Sequence, residues 1–137
     1  MKDLLHLEVI TPDRMVLDEY VARVTLPESD GYITLLPGHA ALVAELGAGE
    51  LEFEVDGKAH WMAICGGFLE VRDNRVKVLA NSALGVSEID LDRARQAEER
   101  ARERLNSGDY TIDYRRAASA LHRAQTRLTV ATSHMEH

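Results

Sequence analysis

From Leu51 to Asp56 the chain alternates apolar and acidic residues, Leu51-Glu52-Phe53-Glu54-Val55-Asp56. This is the period-two pattern of a strand with one buried and one wet face. Asp56-Gly57 supplies a turn and Lys58-Ala59-His60-Trp61-Met62-Ala63-Ile64-Cys65 reads as the returning strand, which predicts a hairpin. Phe68-Leu69-Glu70-Val71-Arg72, the turn Asp73-Asn74 and Arg75-Val76-Lys77-Val78-Leu79-Ala80 predict a second one. Upstream, Leu5–Ile10 and Tyr20–Leu26 are strand-like, while Thr11-Pro12-Asp13 and Asp30-Gly31 mark turns. Short strands with turn signals every roughly 8–12 residues point to a β-sandwich or barrel.

After Val86 the period changes. Ser87-Glu88-Ile89-Asp90 has the form of a capping box, with Asp90 and Asp92 where a helix dipole favours negative charge. Ala94, Ala97, Ala101 and Leu105 then recur at spacings of three and four, so a first helix runs to about Leu105. Asn106-Ser107-Gly108-Asp109 stops it. Tyr114, Ala117, Leu121, Ala124, Leu128 and Ala131 form a heptad stripe on a second helix. A short loop between two helices favours an antiparallel hairpin. Because its stripes are mostly alanine, the seam buries little area, and at roughly 25 cal/mol per Å² it is weak beside one of Leu or Ile. Two behaviours fit such a seam: a permanently docked structural hairpin, or an element that exchanges partners.

Charge divides the chain at the same place. Residues 1–88 carry 7 Lys and Arg against 15 Asp and Glu, a net of −8; residues 89–137 carry 9 against 8, a net of +1. All nine basic residues of the second part are arginine. The overall −7 argues against general binding to nucleic-acid backbones. Apolar runs are too short for a membrane-spanning helix, and charges interrupt the N-terminus where a signal peptide would be apolar. A single cysteine among 137 residues leaves no internal disulfide. The expected division is therefore a β-sandwich over 1–86 and a helical hairpin over 87–137.

Little of the chain suggests catalysis. Histidines at 6, 39, 60, 122, 134 and 137 form no HExxH pair, no CxxC occurs, and His134 and His137 fall at the chain end, where fraying disfavours a fixed site. Cys65 sits in an apolar strand and reads as an inert thiol. There is neither a Walker-type loop nor a GxGxxG fingerprint, so no metal, catalytic residue or required cofactor is expected. Two segments stand out. Leu36-Pro37-Gly38-His39-Ala40 predicts a bend with His39 exposed at its tip. Arg93 and Arg100 share one face of the first helix, and Arg123 and Arg127 share one face of the second. If those faces converge, four guanidinium groups crowd together, and a polyanion with phosphate oxygens relieves the repulsion; otherwise they form a solvated face paired with carboxylates.

These residues resemble those of the epsilon subunits of rotary F-type ATP synthases, over nearly the whole chain. The similarity lies in Thr11-Pro12-Asp13, in Leu26-Pro27 through Asp30-Gly31, in Leu35-Leu36-Pro37-Gly38-His39-Ala40, in Gly66-Gly67-Phe68-Leu69-Glu70-Val71 with Val76–Ala80, and in the Arg/Ala-rich hairpin. The resemblance implies a sandwich of two antiparallel sheets followed by two helices. It implies a non-catalytic subunit of the central stalk that helps couple proton flow to ATP synthesis. Implied partners are the gamma subunit, the c-ring and, through extended C-terminal helices that inhibit hydrolysis, the alpha/beta catalytic head. The implied location is peripheral, on the cytoplasmic face of a bacterial cell membrane, without insertion. By position, the c-ring contact falls on Glu28, Ser29, Asp30, Gly31 and Tyr32 and near His39.

Ile89-Asp90-Leu91-Asp92-Arg93-Ala94 also resembles the I/L-D-x-x-R-A pattern of the family's ATP-binding members, and Arg100, Arg123 and Arg127 match arginines associated with the nucleotide there. The resemblance thus implies a regulatory ATP held by Ile89, Asp90, Arg93, Ala94, Arg100, Arg123 and Arg127, favouring the folded hairpin. One departure is that Leu84 stands where nucleotide-binding members can carry an acidic residue; Glu88 is near but out of register. A different reading of the same arginines is a free-standing small-molecule sensor that binds an anionic nucleotide in the hairpin.

Overall fold

The computed structural model describes residues 3–134. Eight strands come first: β1 Leu5–Ile10, β2 Met15–Val21, β3 Arg23–Glu28, β4 Gly31–Leu35, β5 Leu42–Val55, β6 Lys58–Arg72, β7 Arg75–Ala80 and β8 Ala83–Gly85. A single 3-10 turn, Val86–Glu88, leads into helices α1 Leu91–Asn106 and α2 Tyr114–Ser133.

The strands hydrogen-bond in the order β2-β1-β7-β6-β5-β3-β4, with β8 added on β6. The ladder folds over on itself because β5 and β6 are long and bend together. Residues 42–46 of β5 and 67–72 of β6 lie with β7, β1 and β2; residues 48–55 and 58–65 lie with β3, β4 and β8. The register omits a Gly47–Gly66 pair between Leu46↔Gly67 and Ala48↔Cys65. Gly66 and Gly67 have φ of 76° and 127°, in the region that favours glycine, and a Cβ on Gly67 would sit 2.1 Å from the Leu79 carbonyl oxygen. Buried Leu5, Leu7, Val9, Leu69 and Val78 from one layer and Val24, Leu35, Leu51, Phe53 and Ile64 from the other form one core.

The two expected hairpins are present, closed by Asp56-Gly57 and Asp73-Asn74. Positive φ at both central residues of each turn (52° and 79°; 49° and 61°) matches the twist of the flanking strands. Their inner strands are one strand, since β6 runs through the Gly66-Gly67 bend. Three expectations are corrected. Tyr20–Leu26 is not one strand: Val21 ends β2 against Leu5, and Ala22 carries the chain across to β5, donating its amide to the Glu54 carbonyl (2.9 Å). Pairing is antiparallel everywhere except between β1 and β7, which lie parallel. Ser87 does not cap the first helix; it lies in the 3-10 turn, and Asp90 is the cap.

The helices form the expected antiparallel pair. Ala94 and Ala101 of α1 and Ala117, Ala124 and Ala131 of α2 are buried, so alanine does line the seam. α2 packs on β5, β6 and the 3-10 turn, while α1 packs mainly on α2. The hairpin is thus docked on the outer face of the second layer.

Candidate functional site

Asp90 starts the site. Its side chain accepts the Arg93 amide at 3.1 Å and its carbonyl accepts the Ala94 amide at 3.0 Å, which fixes Arg93 in the first turn of α1. Beside this cap lies an open cleft of about 470 Å³ that brings together Ile89, Asp90, Arg93, Ala94, Arg100 and Arg127. The first five come from the entry and first turns of α1, and Arg127 reaches in from α2. Leu84 and Glu88 complete the wall, so the out-of-register acidic residue does face the cleft.

The two carboxylates of this cleft are already occupied. Asp90 caps the helix. Glu88 accepts the Gly85 amide (3.0 Å) and the Arg14 guanidinium (2.7 Å). The Gly85 amide, seconded by Arg14 against a partial burial, holds the Glu88 carboxyl below its ordinary range. Among the described residues, no carboxylate lies within 4.0 Å of Arg93, Arg100 or Arg127. The cleft therefore presents three guanidinium groups that make no ion pair among the described residues, an arrangement suited to phosphate oxygens.

Arg123 does not join them. It lines a separate cavity between α2 and the sandwich, and Arg127 is the one arginine common to both spaces. One helical turn separates Arg123 from Arg127, and that turn carries it past the end of the α1 cleft.

The positions expected at the c-ring divide into two places. Ser29 and Asp30 form the exposed turn between β3 and β4, closed by the Glu28↔Gly31 pair and backed by β5 through the Ser29 amide to the Glu45 carbonyl (3.2 Å). Tyr32 lies across Gly49, its hydroxyl accepting the Glu50 amide at 3.3 Å. His39 stands beyond the other end of β4. It is half-buried rather than an exposed tip: its amide donates to the Leu36 carbonyl (3.1 Å) and its Nδ1 lies 2.8 Å from the Ala40 carbonyl oxygen.

Several residues that hold the hairpin escaped sequence reasoning. His122 Nε2 donates to the Ala48 carbonyl (2.9 Å), and Arg127 Nη2 donates to Ser82 Oγ (3.3 Å). His134, expected to fray, instead stacks on Trp61 and approaches Glu50 Oε1 at 3.1 Å; His137 lies outside the described residues. No local signal marks these contacts, because each joins positions far apart in the chain. Among the described residues there is no cluster able to hold a metal ion, and no helix is long and apolar enough to cross a membrane.

Comparison with known proteins agrees on both parts of the chain. A family model described as the ATP synthase delta/epsilon chain, beta-sandwich domain, matches residues 4–86, and one described as the delta/epsilon chain, long alpha-helix domain, matches 87–132. The ATP synthase epsilon chain of Nitratidesulfovibrio vulgaris is 44% identical over 130 residues, 95% of this chain and 97% of that one. That of Desulforamulus reducens is 42% identical over 126 residues, 92% and 96% of the two chains. A chain in the cryo-EM structure of the Euglena gracilis mitochondrial ATP synthase (OSCP, F1 and c-ring) superposes with a TM-score of 0.79 at 30% identity, covering 90% of this chain and 78% of that one. A chain of the Tetrahymena thermophila mitochondrial ATP synthase central stalk and c-ring shares the fold, with a TM-score of 0.60 at 15% identity and 98% of each chain covered.

Proposed function

The chain belongs to the ATP synthase delta/epsilon family, and we propose that its helical hairpin is a regulatory element whose docked form is held by a nucleotide in the Arg93–Arg100–Arg127 cleft. The protein is the non-catalytic epsilon subunit of the central stalk, and its partners are the gamma subunit, the c-ring and the catalytic head. It works as part of the ATP synthase complex, in peripheral association with the membrane. In our reading residues 1–86 are the fixed adaptor, residues 87–137 the regulatory part, and the cytoplasmic face is where the subunit sits. The Glu28–Tyr32 turn and the His39 loop are the proposed c-ring contacts.

The uncompensated arginine cleft carries the nucleotide reading. α1 and α2 each supply guanidinium groups to it, so a polyanion bridging them binds the closed hairpin better than an opened one and shifts the population toward docking. Asp90 and the buried Ala94 shape the space rather than neutralise it. ATP serves there as a ligand and is not hydrolysed, since the two carboxylates of the cleft are engaged, Asp90 in capping α1 and Glu88 with the Gly85 amide and Arg14. When the hairpin opens, the same arginines are free to meet carboxylates on the catalytic head and obstruct rotation, an interaction that salt weakens.

The open face of the first layer suits the gamma subunit. Phe68 of β6 stands directly across from Leu79 of β7, which pairs with Ile10 of β1, and Val43 lies on the adjacent β5. Val43, Phe68 and Leu79 are 73%, 57% and 45% exposed, an apolar band across a sheet whose other face is the core.

Two measurements test this function. Removing residues 89–137 should raise ATP hydrolysis by the assembled complex; unchanged hydrolysis would refute the regulatory role. Calorimetry should detect ATP binding to the full chain and its loss in Arg93→Ala with Arg100→Ala. Absence of heat with the wild type at millimolar ATP would leave these arginines to protein partners alone.

A further inference from the structure

Arg14 sits on the turn between β1 and β2, 74 residues from the carboxylate it meets. That turn is stiff. The Thr11 amide and hydroxyl both donate to the Arg14 carbonyl (2.9 and 3.3 Å), and the ring of Pro12 between them fixes its own φ. From this base Arg14 Nη2 donates to Glu88 Oε2 at 2.7 Å. Glu88 Oε1 meanwhile accepts the Gly85 amide at 3.0 Å. One carboxylate thus closes the 3-10 turn Val86–Glu88 and ties it to the sandwich. Both bonds favour its charged form, the Gly85 amide first and Arg14 after it. Among the described residues this is the one arginine–carboxylate pair that joins residues 1–85 to the segment beyond. Glu88 also stands between two cavities. It lines the arginine cleft with Asp90 and Arg93, and an open groove of about 600 Å³ with Trp61, Leu91, Ala131 and His134. The 3-10 turn packs on α2 as well as on β6 and β8, and α1 begins at Leu91. So short a connection cannot absorb a displacement of Glu88 without re-aiming the helix.

We infer that Arg14 is a positioning residue for the hairpin: through Glu88 it fixes the 3-10 turn from which α1 departs, and so holds α1 and α2 in the docked arrangement. A surface ion pair is ordinarily weak, because two long side chains must be ordered in water. Here the ordering cost is reduced at both ends, by the stiff turn beneath Arg14 and by the Gly85 amide on Glu88. The alanine seam leaves few other ties to compete with it. The inference concerns docking itself and does not depend on a nucleotide in the cleft.

The test uses the full chain without nucleotide and has two readouts. One is the rate at which a thiol reagent modifies Cys65, the chain's single cysteine, which is buried and lines the cavity between α2 and the sandwich. Its modification therefore reports the lifting of α2. The other is amide hydrogen exchange, which separates the helices from the strands. Arg14→Ala should raise the modification rate about two- to fivefold, the range of an exposed ion pair. Exchange should quicken in α1 and α2 while β1, β6 and β7 keep their protection. Arg14→Lys should stay near the wild type, and the Arg14→Ala effect should shrink in about 1 M salt. Glu88→Gln, whose amide oxygen can still accept from Gly85, should raise the rate as Arg14→Ala does, and the two changes together should add little. A wild-type rate in Arg14→Ala overturns the inference. So does an effect that persists undiminished in the Glu88→Gln background, since Arg14 then acts on something other than Glu88. Loss of protection spread equally through the strands overturns it too, because Arg14 would then merely support the sandwich.

Discussion

His134 lies flat on Trp61, with ring centroids 4.0 Å apart and planes 3° from parallel. The same imidazole approaches Glu50 Oε1 at 3.1 Å, and it terminates α2 as the C-cap residue. The last turn of the second helix is therefore pinned to both β5 and β6. Offset or stacked ring pairs contribute about 0.5–1.5 kcal/mol beyond area burial. That is a large share for a hairpin whose seam is mostly alanine. His134→Ala is expected to weaken docking by about 1 kcal/mol while leaving the sandwich folded. Trp61 is the only tryptophan, so its emission should shift to the red as the ring gains water. Unchanged emission would show that the stack does not hold the hairpin.

Gly67 and Gly57 both have positive φ, 127° and 79°, yet their surroundings differ. An added Cβ at Gly57 meets nothing within 4 Å, whereas at Gly67 it meets the Leu79 carbonyl oxygen and the Ala80 Cα. Gly57→Ala should cost about 1 kcal/mol of unfolding free energy, from backbone strain alone. Gly67→Ala should cost roughly 3 kcal/mol or more, because strain is joined by a clash with backbone that cannot rotate away. Urea denaturation of the two variants compares them directly, and equal costs would refute the assignment of Gly67 to the bend.

The Glu88 carboxyl is held below its ordinary range in the folded chain. A depressed folded value means that its contribution is fully present above the unfolded pKa and disappears as pH falls through the lower folded one. Glu88→Gln should therefore be less stable than wild type at neutral pH, and the gap should close as pH falls below about 4. Because the side chain is 39% exposed, solvent screening limits the gap to about 0.5 kcal/mol. Thermal melts across that pH range measure it; a gap that widens in acid has the wrong sign.

Phe68→Glu places a charge in the middle of the exposed apolar band. The position faces solvent in the isolated chain, so stability should change by less than about 0.5 kcal/mol. Association with the gamma subunit should weaken by roughly tenfold or more, as for a truncated anchor at the centre of an interface. Surface-immobilised gamma subunit gives the affinity, and normal binding would move the interface elsewhere.

Much of the fold was legible because its rules are local. Alternation in Leu51–Val55 and Arg75–Ala80, two type I′ turn pairs, and alanines at three- and four-residue spacing are all statements about neighbours in the chain. The bend was not legible in that way. Gly66-Gly67 reads as a break between two strands, whereas glycine here lets a single strand change layers. Tyr20–Leu26 erred in the opposite direction, because a continuous β-type composition hid the crossing at Ala22. For the site, helical periodicity placed Arg93 with Arg100 correctly. It also put Arg123 with Arg127, which line one cavity, but facing one way on α2 does not decide which of two adjacent cavities a side chain enters.

The sharing of β5 and β6 between both layers has a mechanical meaning. Two sheets joined only by side-chain packing can slide over one another, but here any such sliding would have to break main-chain ladders on both sides of the bend. Shear resistance is thus built into the backbone. A part mounted on a rotating shaft and loaded sideways at each step profits from that stiffness. Compliance is left to the alanine seam and the few polar ties of α2, so twisting strain reaching this subunit will be released at the hairpin before it distorts the adaptor.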